Sequence, residues 1–351
     1  MNDSHPRHST EASGYRAAGV DLAAAESAKE RIARAVATTR TRWVVGQAGA
    51  FGGMVRLPDD IANPTLVMST DGVGTKVLVA EQAGRYDTVG QDLVNHCVND
   101  ILVHGARPVA FMDYLAGAGL SIDTIAVVVE GVALACRAHD MALSGGETAQ
   151  MPGVYRPGSF DLAGTIIGVA DETRTLHGDR IAEGDYLVGY ASSGLHTNGY
   201  TLARRIVVHD LGLQVDDRLG DTGLSVADAL LEVHRSYFGA VWPVIEHIHG
   251  MAHITGGGIA GNLVRILPDW AVAAVDAGSW EVPELFRVLQ DGGSVSTAEM
   301  REVFNLGIGL IAAVPESGLE PVRQAATAAG IETWIIGDIR TGDRREVRFM
   351  T

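Results

Sequence analysis

The residues whose types and spacing could do chemistry cluster first at Ser69-Thr70-Asp71-Gly72-Val73-Gly74-Thr75-Lys76. One carboxylate, two glycines, two threonines and a lysine fall within this stretch. That inventory suits a metal-bridged polyphosphate. A carboxylate can hold a hard cation. Gly72 and Gly74 let backbone N–H groups approach phosphate oxygens. Lys76 can act as a point charge on a phosphate. Taken alone, the stretch also fits a plain turn after a strand.

More groups of the same kind follow. Asp100 comes seven residues after Leu93, which turns it toward the apolar stripe of a helix, where a carboxylate needs a partner or a metal. Asp113 ends an apolar run, and Ser144-Gly145-Gly146-Glu147-Thr148 reads as another strand-end turn carrying an acid. Further on, Ser193-Gly194-Leu195-His196-Thr197-Asn198 and His253-Ile254-Thr255-Gly256-Gly257-Gly258 both precede predicted helices, as anion-binding loops do. His196 and His253 are candidates for proton handling. Each loop on its own has a bland reading: an N-cap at Thr197 or Asn198, or a loop histidine bound to backbone.

The elements that must position these groups are those of an α/β chain. Apolar runs predict strands over 64–70, 108–115, 141–143, 160–170, 185–190, 305–314 and 333–339. Leu93, Cys97, Ile101 and Leu102 predict a helix over about 90–104 that also carries Asp92, Asn95, His96, Asn99 and Asp100. Ser121 caps a second helix. Ile32 and Val36 predict an amphipathic helix within 15–42, and the chain from 224 to 249 reads as helical. Gly46–Gly53 is either a nucleotide-covering loop or an ordinary connector.

The chain has 351 residues, long enough for two cores. A polar stretch from Thr173 to Gly184 marks the junction, giving domains over 15–172 and 173–351 behind a tail at 1–14 that reads as disordered. No apolar run reaches the roughly 18 residues of a membrane span, and no secretory leader is visible. Cys97 and Cys136 show no metal spacing and read as buried thiols in a reducing cytoplasm. A net charge of −16 argues against nucleic acid and anionic membrane as partners. It leaves room for a small phosphorylated ligand.

In order and spacing, these motifs, with Cys97-Val98-Asn99-Asp100-Ile101, resemble those of the phosphoribosylformylglycinamidine cyclo-ligase family, from Tyr15 to Gly337. The resemblance implies a two-domain α/β fold of α+β type. It also implies a homodimer whose N-terminal mixed sheets join into a barrel, and a C-terminal α/β sandwich. It implies an ATP-dependent ring closure of formylglycinamidine ribonucleotide in purine biosynthesis. On this reading Asp71, Asp100 and Glu147 hold Mg²⁺, and Gly72, Gly74, Thr75, Lys76, Asp113, Gly145 and Gly146 meet ATP. Ser193, Gly194, Thr197, Asn198, Thr255, Gly256, Gly257 and Gly258 meet the ribotide, with His196, His253 and Lys76 in the chemistry. The sequence departs from the family pattern at Val233-His234, where Pro-Thr is usual, and at Asn95-His96, where apolar residues are usual. Leu306 stands in place of Cys and Gln150 in place of Glu. A paralogue acting on a related formyl-amidine, or a nucleotide-binding scaffold without turnover, is the alternative reading.

Overall fold

The computed structural model describes residues 22–46 and 52–350. The expected tail over 1–14 and the middle of the Gly46–Gly53 loop lie outside them. An N-terminal helix, α1 (Leu22–Ala37), precedes a short antiparallel pair, β1 (Val44–Val45) and β2 (Met54–Val55). Two sheets then organise the chain.

The first sheet has the order β3 (Pro64–Gly72), β6 (Phe160–Asp171), β4 (Arg107–Gly117), β5 (Ala142–Gln150). β4 and β5 run parallel, and the other pairs are antiparallel. Exposure alternates along β3, as the two-residue period of a strand requires. Thr65, Val67, Ser69 and Asp71 point to the helix-covered side, and Leu66, Met68 and Thr70 to the open side. Besides α1, three helices serve this half: α2 (Lys76–Ala83), α3 (Val89–Leu102) and α4 (Ile122–Ala138), the last paired with α1 through Arg31 and Glu130. Ser121 caps α4, its hydroxyl accepting from the Thr124 N–H.

The second sheet has the order β12 (Glu346–Met350), β9 (Ala271–Asp276), β11 (Thr333–Thr341), β7 (Tyr186–Ala191), β10 (Ile308–Val314), β8 (Gly250–His253). Only β12 and β9 pair in parallel. β10 is buried along its whole length, a strand covered on both faces, and the short helix α5 (Tyr200–Arg205) follows β7.

Helix α3 joins the halves. Leu93, Cys97 and Ile101 pack into the core of the first sheet. Its other stripe, Asp92, Asn95 and Asn99, binds the main chain of 234–237. The His234 N–H donates to Asp92 Oδ1 (2.7 Å) and the Tyr237 N–H to Asn99 Oδ1 (2.9 Å). Asn95 Nδ2 donates to the His234 carbonyl (2.7 Å) and Asn99 Nδ2 to that of Arg235 (2.8 Å).

Those bonds account for one departure from the sequence reading. The expected helix over 224–249 is broken into α6 (Val226–Leu230), a non-helical stretch, and α7 (Phe238–Val241), because side chains of α3 take the backbone groups a helix would use. A second departure concerns Gly145-Gly146-Glu147. The strand that was expected to stop at Leu143 continues to Gln150 along β4, so these residues lie in an outer strand, not in a turn.

Candidate active site

A cavity of about 530 Å³ opens where the two halves meet. Ser69, Asp71, His96 and Asp100 face it from β3 and α3, and Asn198, His253, Thr255 and Arg265 from the second half. Asp71 sits in the last turn-ward residues of β3, and Asp100 in the last turn of α3. The two come near each other around His96, whose Nε2 lies 3.2 Å from Asp71 Oδ2 and 3.6 Å from Asp100 Oδ2. Asp100 also accepts from Ser69 Oγ (3.2 Å) and pairs with His253 Nδ1 (2.8 Å). Burial would raise the Asp100 carboxyl, but the hydrogen bond from His253 outweighs it and, with the neighbouring His96, holds it well below the usual carboxylate range.

His96 and His253 on the cavity wall join His196 and His234 behind it in a cluster of four histidines. Thr197 Oγ1 bridges His96 Nδ1 (2.6 Å) and His234 Nδ1 (3.2 Å), and His234 Nε2 meets His253 Nε2 at 3.2 Å. His196 stacks on His234 with ring centroids 4.0 Å apart. Burial pushes His196 and His234 well below the ordinary imidazole value and lowers His253 as well. His96 goes the other way. Burial opposes its charge, yet the hydrogen bond to Asp71 and the nearby Asp100 raise it.

Three expected roles need correction. Lys76 does not face the cavity. Its side chain is fully buried, its Nζ 2.8 Å from Asp92 Oδ2, and it donates to the carbonyls of Glu232 (2.7 Å) and His196 (3.4 Å). The ammonium binds the second half to α3 and has no reach to a phosphate. His196 adopts a left-handed backbone (φ 61°) and is buried behind the wall. Its Nε2 accepts from the Ser193 N–H (3.2 Å), and its Nδ1 has no partner among the described residues. Glu147 does not join Asp71 and Asp100. It pairs with Tyr114 across β4–β5, so it shares the open face of the sheet, three strands from β3 and on the side opposite Asp71.

The remaining expected residues fall into two groups. Asn198 and Thr255 face the cavity, and Gly256-Gly257-Gly258 forms the adjoining turn into α8 (Gly258–Leu263). Asn262 Nδ2 stitches that turn by donating to the carbonyls of Thr255, Gly256 and Gly258. Ser193, Gly194 and Thr197 are occupied by neighbouring segments: Ser193 Oγ donates to the Val233 carbonyl, the Gly194 carbonyl accepts from Asn305, and Thr197 Oγ1 meets His96 and His234. Gly72 closes β3, Gly74 takes the left-handed region (φ 64°), and Thr75 precedes α2. Asp113 is buried under β4, and burial raises its carboxyl to about 6. Gly146 is required beside it, since a Cβ there would overlap the Asp113 carboxylate. His96, Asp92, Asn99, His234, Asn262 and Arg265 are site residues that motif reading passed over. For His96 and His234 a signal existed, because both stand where the family pattern has other residues.

Two sheets flanked by helices, with paired carboxylates and His/Thr/Gly loops on a shared cavity, define a two-domain α/β enzyme fold. Residues 52–170 match the N-terminal and 182–349 the C-terminal domain of AIR synthase related proteins. A phosphoribosylformylglycinamidine cyclo-ligase of Sorangium cellulosum (strain So ce56) is 46% identical over 329 residues, 93% of this chain and 94% of that protein. The chain belongs to the AIR synthase related family, on its phosphoribosylformylglycinamidine cyclo-ligase branch. Among solved structures, the fold is shared with thiamine-monophosphate kinase from Stenotrophomonas maltophilia K279a (TM-score 0.65, 20% identity, 94% and 96% of the two chains). It is also shared with a hydrogenase maturation protein HypE in complex with ATP (TM-score 0.60, 20% identity, 92% and 90%). No helix among the described residues is long and apolar enough to cross a membrane.

Proposed function

We propose that the chain closes the imidazole ring of aminoimidazole ribonucleotide from formylglycinamidine ribonucleotide, using ATP, as a step of purine biosynthesis. The observation that carries this reading is the convergence of Asp71 and Asp100 from one half with Asn198, His253 and Thr255 from the other on a single cavity. The family supports the reaction type.

An amide oxygen is a poor leaving group. Transfer of the γ-phosphoryl group of ATP to the formyl amide oxygen gives an imidoyl phosphate and ADP. The amidine nitrogen then attacks that carbon, the C–O bond breaks, and inorganic phosphate and one proton leave. The protein's work is positioning and charge neutralisation. Asp71 and Asp100 offer carboxylate oxygens to the cavity and fit a divalent cation such as Mg²⁺, which supplies charge neutralisation for the triphosphate. His253, kept neutral by burial and oriented by Asp100, is the group placed to take the proton. Thr255, Asn198 and Arg265 face the ribotide, and the 256–258 turn offers N–H groups to its phosphate. Gly72, Gly74 and Thr75 meet ATP. Lys76 and His196 act by holding the 192–200 loop.

The dimer belongs to the same reading. The open face of the first sheet exposes Leu66, Met68, Met112 and Tyr114. A second copy covering that face would bring Gly145, Gly146 and Glu147 into the assembly's nucleotide site. Two buried free cysteines accord with a cytoplasmic setting.

Mixing the chain with Mg-ATP and formylglycinamidine ribonucleotide should release phosphate and yield aminoimidazole ribonucleotide by mass spectrometry. Asp71→Asn should lower turnover by ~100-fold or more. Full activity in that variant would remove the carboxylate's role; no product from the wild type would remove the reading.

A further inference from the structure

A second cavity, of about 560 Å³, opens in the C-terminal half and shares no lining residue with the first. It lies among helices α9 (Glu284–Gly292) and α10 (Thr297–Val303), the 277–282 loop and the end of β12. Trp280, Phe286, Leu306 and Phe349 give it an apolar, largely aromatic surface. Size and lining are those of a small-molecule site, in which a few polar groups fix an otherwise apolar ligand.

The polar groups are not equivalent. Arg287 is engaged, donating to Glu281 Oε1 (3.2 Å) and Glu284 Oε2 (3.4 Å). Arg301 has no carboxylate partner among the described residues. Its guanidinium carbon lies 4.3 Å from the centre of the Phe349 ring. Stacking of that kind fixes the planar fork without using its N–H donors. In a chain of net charge −16, an arginine left without an acid on a cavity wall is a local exception. Its donors match the oxygens of a phosphate. Gln290 Nε2 donates to Thr297 Oγ1 (3.3 Å), which leaves Gln290 Oε1 open, among the described residues, to accept from a ring amine. An apolar ring, an amine and a phosphate on one small molecule satisfy all three features together.

We propose that this cavity binds a nucleoside monophosphate, its base among the aromatic side chains and its phosphate on Arg301, and that occupancy is felt in the substrate loops of the first cavity. The coupling has a physical path. Trp280 Nε1 donates to the Leu306 carbonyl (2.9 Å), so the cavity wall holds the 305–307 turn. Asn305 Nδ2 donates to the Gly194 carbonyl (2.8 Å), and Asn305 Oδ1 accepts from Ser192 Oγ (3.1 Å). The Ser192 N–H donates to the Gly307 carbonyl (2.8 Å). A ligand that tightens Trp280 and Leu306 therefore tightens the loop that carries Asn198. Two sites joined in this way affect each other reciprocally. The site goes beyond the proposed cyclisation, and it is tested with neither ATP nor ribotide present, so either reading can fail alone.

Equilibrium dialysis of AMP against the full chain should find one bound equivalent. Inorganic phosphate alone should bind at least ~10-fold more weakly, because it lacks the ring. Arg301→Gln should weaken AMP binding by more than ~10-fold, whereas Asp71→Asn, in the first cavity, should leave it unchanged. Should Arg301→Gln not fold, Gln290→Leu serves as the second variant, with a measurable loss expected. Amide hydrogen exchange on adding AMP should slow over 277–306 and also over 192–199. No AMP binding, phosphate binding as tightly as AMP, binding lost in Asp71→Asn but kept in Arg301→Gln, or protection confined to 277–306 would each overturn the proposal.

Discussion

Lys76 and Asp92 form an ion pair with no exposed surface on either side chain. Burial alone lowers the ammonium and raises the carboxyl, so each charge persists because the other is 2.8 Å away. Removing one partner strands the other in the interior. Lys76→Met is therefore expected to destabilise the protein by about 3–5 kcal/mol. Lys76→Met with Asp92→Asn should recover much of that, because Asn keeps an oxygen for the His234 N–H. Urea unfolding of the two variants at pH 7 checks the pair; equal losses in single and double variants would show that packing, not charge, is at stake. The same residue shows how far motif reading extends. Asp71 was legible from its motif after an apolar run, and Asp100 from its helical phase. Lys76 was not, because its partners are Asp92 and carbonyls at 196 and 232, which no local spacing reveals.

At the scale of elements, the turn before α8 depends on backbone conformations that only glycine adopts freely. Gly257 and Gly258 have φ of 95° and 60°, and a Cβ on Gly258 would overlap the Arg301 carbonyl oxygen. Gly258→Ala should lose more than ~2 kcal/mol of stability and loosen the loop that carries Thr255. Gly261→Ala, three residues on in the same helix with open space around it, should be neutral or slightly stabilising. Thermal unfolding of the pair separates backbone strain from helix propensity. Many elements were legible: helical spacing and apolar runs located α3, α4 and six strands within a few residues, while β9 and β12 were passed over. What failed was 224–249 and the end of β5. In both, backbone groups are claimed by distant partners, α3 in one case and the parallel β4 strand in the other.

For the whole molecule, the open face of the first sheet is the feature that one chain leaves incomplete. Met68 is 65% exposed and Leu66 49% on β3, and Met112 and Tyr114 are exposed on the same face of β4, with β6 between the two strands. Apolar surface presented by a sheet face favours a second surface of its own kind. Met68→Lys with Met112→Lys should convert a dimer to monomer in light scattering while leaving the folded core intact, since neither side chain enters it. A wild type that is monomeric at micromolar concentration would end the dimer reading. The sequence by itself determined the family, the two-sheet α/β class, the carboxylate pair and the two His/Thr/Gly loops, because these are carried by runs of adjacent residues. Only the tertiary structure decided that His96 and His234 join His196 and His253 in one cluster, that Lys76 is spent on Asp92, and that Glu147 faces away from Asp71. Those outcomes depend on contacts between separate elements, from Lys76–Asp92 within the first half to His96–Thr197 across the two halves, or on which face of a sheet a register selects, and neither is written in local spacing.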